Sequence, residues 1–163
     1  MKGAAAKGFS AIELMVVIVI VGILASVAWL RLAQLAPRYR LEGAVRTLAV
    51  EIQKARGRAV AEGKCFMVVL NTANKSYQVQ SKAATSTCGT TGYTADAADP
   101  ANKLIDDALT IDNGSGGTPV NPIFTSRGGS EDTGNVFPTI RLANNLGDGR
   151  LILVNKVGRV IVR

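Results

Sequence analysis

The chain has 163 residues, of which 47% are hydrophobic, 5% aromatic and 19% charged, with a formal net charge of +7. That is the size of one ordinary domain, and the apolar fraction is too high for a disordered tail. There is no histidine, and the two cysteines, Cys65 and Cys88, lack C-x-x-C spacing. Ser-His-Asp and Cys-His centres, histidine-ligated metals, zinc clusters and a histidine pH switch are therefore excluded. No catalytic residue, metal site or cofactor is indicated, and an enzyme tethered by one helix is the least favoured class.

Residues 1–8 are short and carry two lysines, and from Leu14 to Leu30 every residue is apolar except Gly22 and Ser26. Seventeen helical residues span roughly 26 Å, near the lower limit for crossing a hydrocarbon core. Three readings compete. A secretory signal peptide would have a shorter apolar core and a small-residue cleavage site, which Ala25-Ser26-Val27-Ala28 imitates. A plain anchor would keep the lysines on the cytoplasmic side. Neither explains Glu13, just inside the apolar run, where an ionised carboxylate costs several kcal/mol and is a functional hypothesis by default.

The third reading comes from the block Gly8-Phe9-Ser10-Ala11-Ile12-Glu13-Leu14-Met15-Val16-Val17-Ile18. It resembles the class III leader and helix start of type IV pilins and pseudopilins, with Ser10-Ala11 replacing the usual Thr-Leu. The resemblance implies that a prepilin peptidase cuts after Gly8 and methylates Phe9, and that Glu13 is the glutamate the family places near the mature N-terminus. A carboxylate there can pair with the new α-ammonium of a neighbouring subunit, lowering the desolvation penalty of both groups and setting axial register. On this reading residues 1–8 are a leader, 9–36 a transmembrane assembly helix and 37–163 a globular domain.

Beyond Leu30 the helical pattern changes character. Pro37 lacks an N–H and predicts a kink or local break. Leu41, Ala44, Val45, Leu48, Ala49, Ile52, Ala55, Ala59 and Val60 then fall at the spacing of one buried helical face. Arg40, Glu42, Arg46, Glu51, Gln53, Lys54 and Arg58 fill the other, with Glu42–Arg46 as an i,i+4 pair. Gly63 suits a C-cap. Residues 31–64 hold eight basic and three acidic groups and residues 123–163 six and three, so the basic excess sits beside the apolar segment and at the C-terminus.

Strand signals follow. Cys65–Leu70 and Ser76–Gln80 flank a turn at residues 71–75 and read as a hairpin. Residues 81–135 read as long loops with short strands at Leu104-Ile105, Ala108–Ile111 and Ile123-Phe124. Gly114-Ser115-Gly116-Gly117 has no strand and helix around it, so it reads as a turn and not a phosphate-binding loop. Thr139–Ala143, Arg150–Val154 and Gly158–Val162 close the chain, the last two forming a hairpin around Asn155-Lys156-Val157.

A helix followed by such strands predicts an α+β fold, a long N-terminal helix packed on antiparallel sheet. The order is similar to that of a pilin, and more narrowly of the GspH/FimT group of minor pseudopilins and minor pilins. The residues that carry this are Tyr39–Leu48, Ala55-Arg56-Gly57-Arg58-Ala59-Val60, and Ile152–Asn155 with Gly158-Arg159-Val160. Leu30 stands where major pilins commonly have proline. The resemblance implies a non-enzymatic subunit of a type IV pilus or a type II secretion pseudopilus. Its partners would be other subunits, prepilin peptidase, the bacterial inner membrane and the assembly platform, and its single-pass helix would hold a periplasmic or extracellular domain. In that oxidising setting Cys65 and Cys88 are expected to form a disulfide, with two free buried thiols as the alternative. FimT-like DNA receptors carry a C-terminal Gly-Arg-x-Arg pattern. Here the second arginine is displaced, but Arg159 and Arg163 would share one face of a strand and make DNA an alternative partner.

Overall fold

The structure is a computed structural model and describes residues 10–83, 87–131 and 137–163, without the side chains of residues 30, 31, 33 and 34. The proposed cleavage pair Gly8 and Phe9 lies outside the described residues. The chain divides into two compact units, Met1–Ala36 and Pro37–Arg163. A single helical assignment, α1 (Ala11–Glu62), contributes to both.

In the first unit the Ser10 carbonyl accepts the amides of Glu13 at 3.0 Å and Leu14 at 3.2 Å, so α1 starts there. Glu13 lies in the first turn, where a carboxylate meets the positive end of the helix dipole. Ala11–Trp29 is long and apolar enough to cross a membrane, and none of its 19 residues is buried. Of the kink or local break expected at Pro37, the break is absent: α1 runs through it. One proline removes a single rung of the ladder, and the leucines, alanines and arginines on either side are good helix formers.

In the second unit the rest of α1 buries Leu41, Val45, Leu48, Ala49, Ile52, Ala55 and Ala59. Steps of three and four keep these side chains on one face. Ala44 packs at the margin of the core, but Val60 is 54% exposed, a correction to the predicted face. The helix ends at Gly63, whose φ of 63° is the left-handed cap that glycine adopts without strain.

The strands form two antiparallel sheets. The first has β1 (Cys65–Asn71) beside β2 (Ser76–Lys82), with β6 (Ile123–Phe124) and β7 (Ser130–Glu131) following on the β1 side. On the other side β2 pairs with β3 (Thr94–Ala95) and β4 (Lys103–Leu104). The second sheet runs β10 (Val160–Val162), β9 (Gly149–Val154), β8 (Thr139–Ala143), β5 (Thr110–Asp112). The predicted hairpins are both present. The short strands β3 and β7 have no sequence signal, because two polar or small residues are defined only by the neighbour they pair with. Ala108 is in a turn, not a strand: its amide bonds Asp106 Oδ1 at 2.9 Å, and Leu109 N bonds the Asp106 carbonyl at 2.9 Å. The Gly114–Gly117 segment is a turn as predicted, its amides at Ser115 and Gly117 taken by Asn113 Oδ1.

One core cluster joins the helix face to Phe66, Val68, Tyr77, Val79, Ile140, Leu142, Ile152 and Val154. These strand residues alternate, so each sheet presents one face to the helix. The opposite face of β1 is also covered. Cys65, Met67, Ile123 and Cys88 form a second cluster, with Val69 and Tyr93 against it. The cover is the loop after β2, held by a Cys65–Cys88 disulfide that closes a separation of 23 residues. Gly89 N bonds Glu131 Oε2 at 3.1 Å, and burial near Glu131 pushes the Tyr93 phenol up to about 12.

The disulfide removes conformational freedom from the unfolded chain, and a loop of this length is worth about 3 kcal/mol in the chain-entropy model. Reducing it is expected to lower unfolding stability in urea by that order. Titration of the oxidised chain under denaturing conditions should find no free thiol, and two reactive cysteines would refute the pairing.

Candidate functional site

The C-terminal hairpin is set by its turn. Asn155 Oδ1 accepts the Arg159 amide at 2.8 Å, and Gly158 N bonds the Asn155 carbonyl at 2.8 Å. Gly158 has φ of 77°. A Cβ there would stand 2.2 Å from the Gly128 carbonyl oxygen and 2.8 Å from Arg56 Nε. The Arg56 guanidinium donates to that same carbonyl at 2.8 Å. The helix, the β6–β7 turn and the β9–β10 turn thus meet at one point that only glycine can occupy. Because of this turn the last strand begins at Val160 and not at Gly158.

The second arginine of the helical Arg-Gly-Arg, Arg58, was expected on the solvated face. It lies instead over the Phe66 ring, 4.7 Å from its centroid, and bonds Asp96 at 2.5 Å and Glu62 at 2.7 Å. Asp96 is 3% exposed and also accepts from the Ser81 hydroxyl at 3.2 Å. The Arg58 hydrogen bond holds the Asp96 carboxyl below its ordinary value, against the opposing effect of burial. The same bond raises Arg58, and Arg58 lowers Glu62. A second network joins Lys103 to Asp99 at 2.6 Å and Glu51 at 2.9 Å. Burial alone would pull Lys103 down, but its two carboxylate partners outweigh this and raise it to about 12. The predicted Glu42–Arg46 pair is present at 3.2 Å.

These contacts separate the cations into three groups. Arg38, Arg40, Arg46, Lys54, Arg58, Lys64, Lys103, Arg141 and Arg150 have carboxylate partners. Arg56, Lys75 and Lys82 donate to backbone carbonyls. Arg127, Lys156, Arg159 and Arg163 are exposed, with no such partner among the described residues. All of these belong to the β6–β7 turn or the C-terminal hairpin, which adjoin, since Ser130 N bonds the Lys156 carbonyl at 3.0 Å. Arg159 and Arg163 do lie on one face, with Ile161 and away from the core. The register pairs Val160 and Val162 with the buried Val154 and Ile152. Arg127 was missed in the sequence, because only folding brings its turn beside the hairpin whose own turn holds Lys156.

No protein-family model and no curated protein matches this chain. Solved structures do. The type IV minor pilin FimU of Pseudomonas aeruginosa aligns over 77% of this chain and 90% of its own, with a TM-score of 0.56 and 19% identity. The minor pseudopilin EpsH from the Type 2 Secretion System of Vibrio cholerae aligns over 76% and 96%, with a TM-score of 0.57 and 11% identity. This is a pilin-like α+β fold. A second crystal form of FimU matches at a TM-score of 0.54. Within the pilin-like fold, two of the three arginine-bearing segments that carried the sequence resemblance have a structural role: Arg56 and Gly158 converge on Gly128, and Arg58 clamps Asp96.

Two predictions follow from these contacts. Gly158→Ala should cost roughly 2–4 kcal/mol through left-handed strain and the clash with Gly128, read as a lower urea midpoint at unchanged slope. A midpoint like that of the parent would show that the junction gives way freely. Asp96→Asn should also destabilise at neutral pH, by roughly 2 kcal/mol. Because the folded Asp96 carboxyl lies below its ordinary 3.8, its contribution is complete above that value and is lost as pH falls through the folded one. The stability gap between parent and variant should therefore close in acid. A gap that stays constant down to pH 2 would contradict the ion-pair account.

Proposed function

We propose that this chain is a minor pilin or minor pseudopilin, a structural subunit of a type IV filament machine that performs no catalysis. The observation that supports this most is the pairing of an unburied, membrane-length apolar helix at Ala11–Trp29 with a domain of pilin-like fold. A helix with that much exposed apolar surface needs lipid or other helices around it. The domain would lie outside the inner membrane, in keeping with its disulfide.

In this reading prepilin peptidase removes residues 1–8 and methylates Phe9, and Glu13 serves assembly. Intact-mass measurement on protein from its native membrane is expected to show a methylated N-terminus at Phe9. An N-terminus at Met1 or after Ala28 would end the filament reading. Glu13→Ala makes the helix more apolar, so membrane insertion should persist. Recovery in sheared-filament fractions should fall at least about tenfold, because the α-ammonium of a neighbour loses its partner and an uncompensated buried charge costs several kcal/mol. Normal recovery would count against the pairing.

The alternative, a DNA-binding minor pilin acting in uptake, has one observation in its favour: Arg159 and Arg163 are exposed on one face. Two phosphate contacts would give a log–log salt slope of about −1.8 for duplex DNA, flattened by Arg159→Gln with Arg163→Gln.

A further inference from the structure

The second sheet ends in a strand whose outer edge is open. Leu151 and Arg163 exchange both backbone hydrogen bonds at 2.9 Å, and Asn155 N bonds the Arg159 carbonyl at 3.1 Å. In an antiparallel ladder such pairs alternate, so Ile161 also turns its N–H and C=O toward β9. The N–H and C=O groups of Val160 and Val162 then point away from the sheet, and no backbone partner for them occurs among the described residues. Val-Ile-Val is a strong β-former, and this short edge carries no proline, bulge or inward charge to turn a partner strand away.

The same edge is bracketed by the uncompensated cations. Arg159 and Arg163 stand at its two ends, about 13 Å apart at the rise of a strand, and Lys156 and Arg127 continue the positive charge past the turn. Every other described lysine or arginine side chain is already partnered within the domain, so these are the ones left for an outside anion. One apolar side chain lies among them: Val157, between Lys156 and Gly158, is 65% exposed. Arginine is enriched at protein interfaces, whose centres are apolar. A polyanion would satisfy the cations and leave both Val157 and the strand edge unmatched.

We propose that β10 is a docking edge for an extended, acidic segment of a neighbouring subunit. That segment adds as a fifth strand on Val160 and Val162, its carboxylates pair with Arg159 and Arg163, and its apolar residues cover Val157. The partner's identity as a subunit rests on the filament reading; the edge and its charge preference do not. Backbone pairing supplies affinity, and side chains at alternate positions supply selectivity.

The test uses the full chain in detergent and a short peptide alternating glutamate and valine, with binding read by fluorescence anisotropy. The parent should bind it and ignore the same peptide with lysine for glutamate. Val162→Pro deletes an outward N–H while leaving the bonds to β9, a substitution that edge strands tolerate. It should weaken binding about tenfold, since several-fold is lost with each backbone hydrogen bond. Arg159→Gln with Arg163→Gln should weaken it at least as much. Because Val162→Pro risks local misfolding, a peptide N-methylated on one edge is tested against the parent and should fail to bind. Equal binding of the methylated peptide would overturn strand pairing. Preference for duplex DNA over the peptide would overturn the protein partner, and dimerisation of the chain alone that Val162→Pro abolishes would assign the edge to a second copy. Absence of peptide binding by a chain that is still recovered in sheared filaments would reject the docking edge and leave the filament reading standing.

Discussion

Both sheets are built on one stripe of the helix. Leu41, Val45, Leu48, Ile52, Ala55 and Ala59 recur in steps of four and three, and every one is buried. Without that stripe neither sheet has a second layer, since each has only one face that meets the helical core and an isolated sheet of short strands is marginal in water. Each fully buried leucine, isoleucine or valine contributes about 1.5–3 kcal/mol. The taper of the stripe, from leucines at one end to Ala55 and Ala59 at the other, coincides with the region where two turns approach the helix and Arg56 reaches the Gly128 carbonyl.

The polar contacts have a different task from the apolar ones. Burial brings the layers together, while Arg58–Asp96 and Lys103–Glu51–Asp99 fix where loops with few apolar residues attach. An ion pair with this much burial gains little net energy over an apolar substitute, but losing one partner leaves a costly charge. Such pairs therefore specify position more than they add stability. The disulfide does the same for the loop over the outer face of β1, where Cys88 and Tyr93 complete a second small core.

Charge is sorted by the same folding. In composition the chain is simply basic, and along the sequence the excess sits at residues 31–64 and at the C-terminus. In the folded domain three of the cations in 31–64 meet carboxylates from distant loops, Arg38 with Asp148, Arg40 with Asp106 and Arg58 with Asp96, while Arg46, Lys54 and Lys64 pair with glutamates close by in the chain. What remains for an external partner is a smaller set around the C-terminal hairpin. Net charge by itself does not say which of these cations are available for binding, and the pairing pattern does.

The sequence by itself determined the apolar N-terminal segment, the buried stripe from Leu41 to Ala59, both hairpins, the Gly63 cap and the α+β class, because each depends on residues close together in the chain. Periodicity, turn chemistry and capping are local. It also placed Arg159 and Arg163 on one face, since strand alternation is local too. Only the tertiary structure decided that Arg58 is an interior clamp, that Val60 is exposed and that Pro37 does not break the helix. Only it made strands of Thr94–Ala95 and Ser130–Glu131, and only it brought Arg127 beside the last hairpin. Those outcomes depend on which groups meet across long separations, and a hydrogen-bond partner at such a distance leaves no mark on the spacing of a residue's own neighbours.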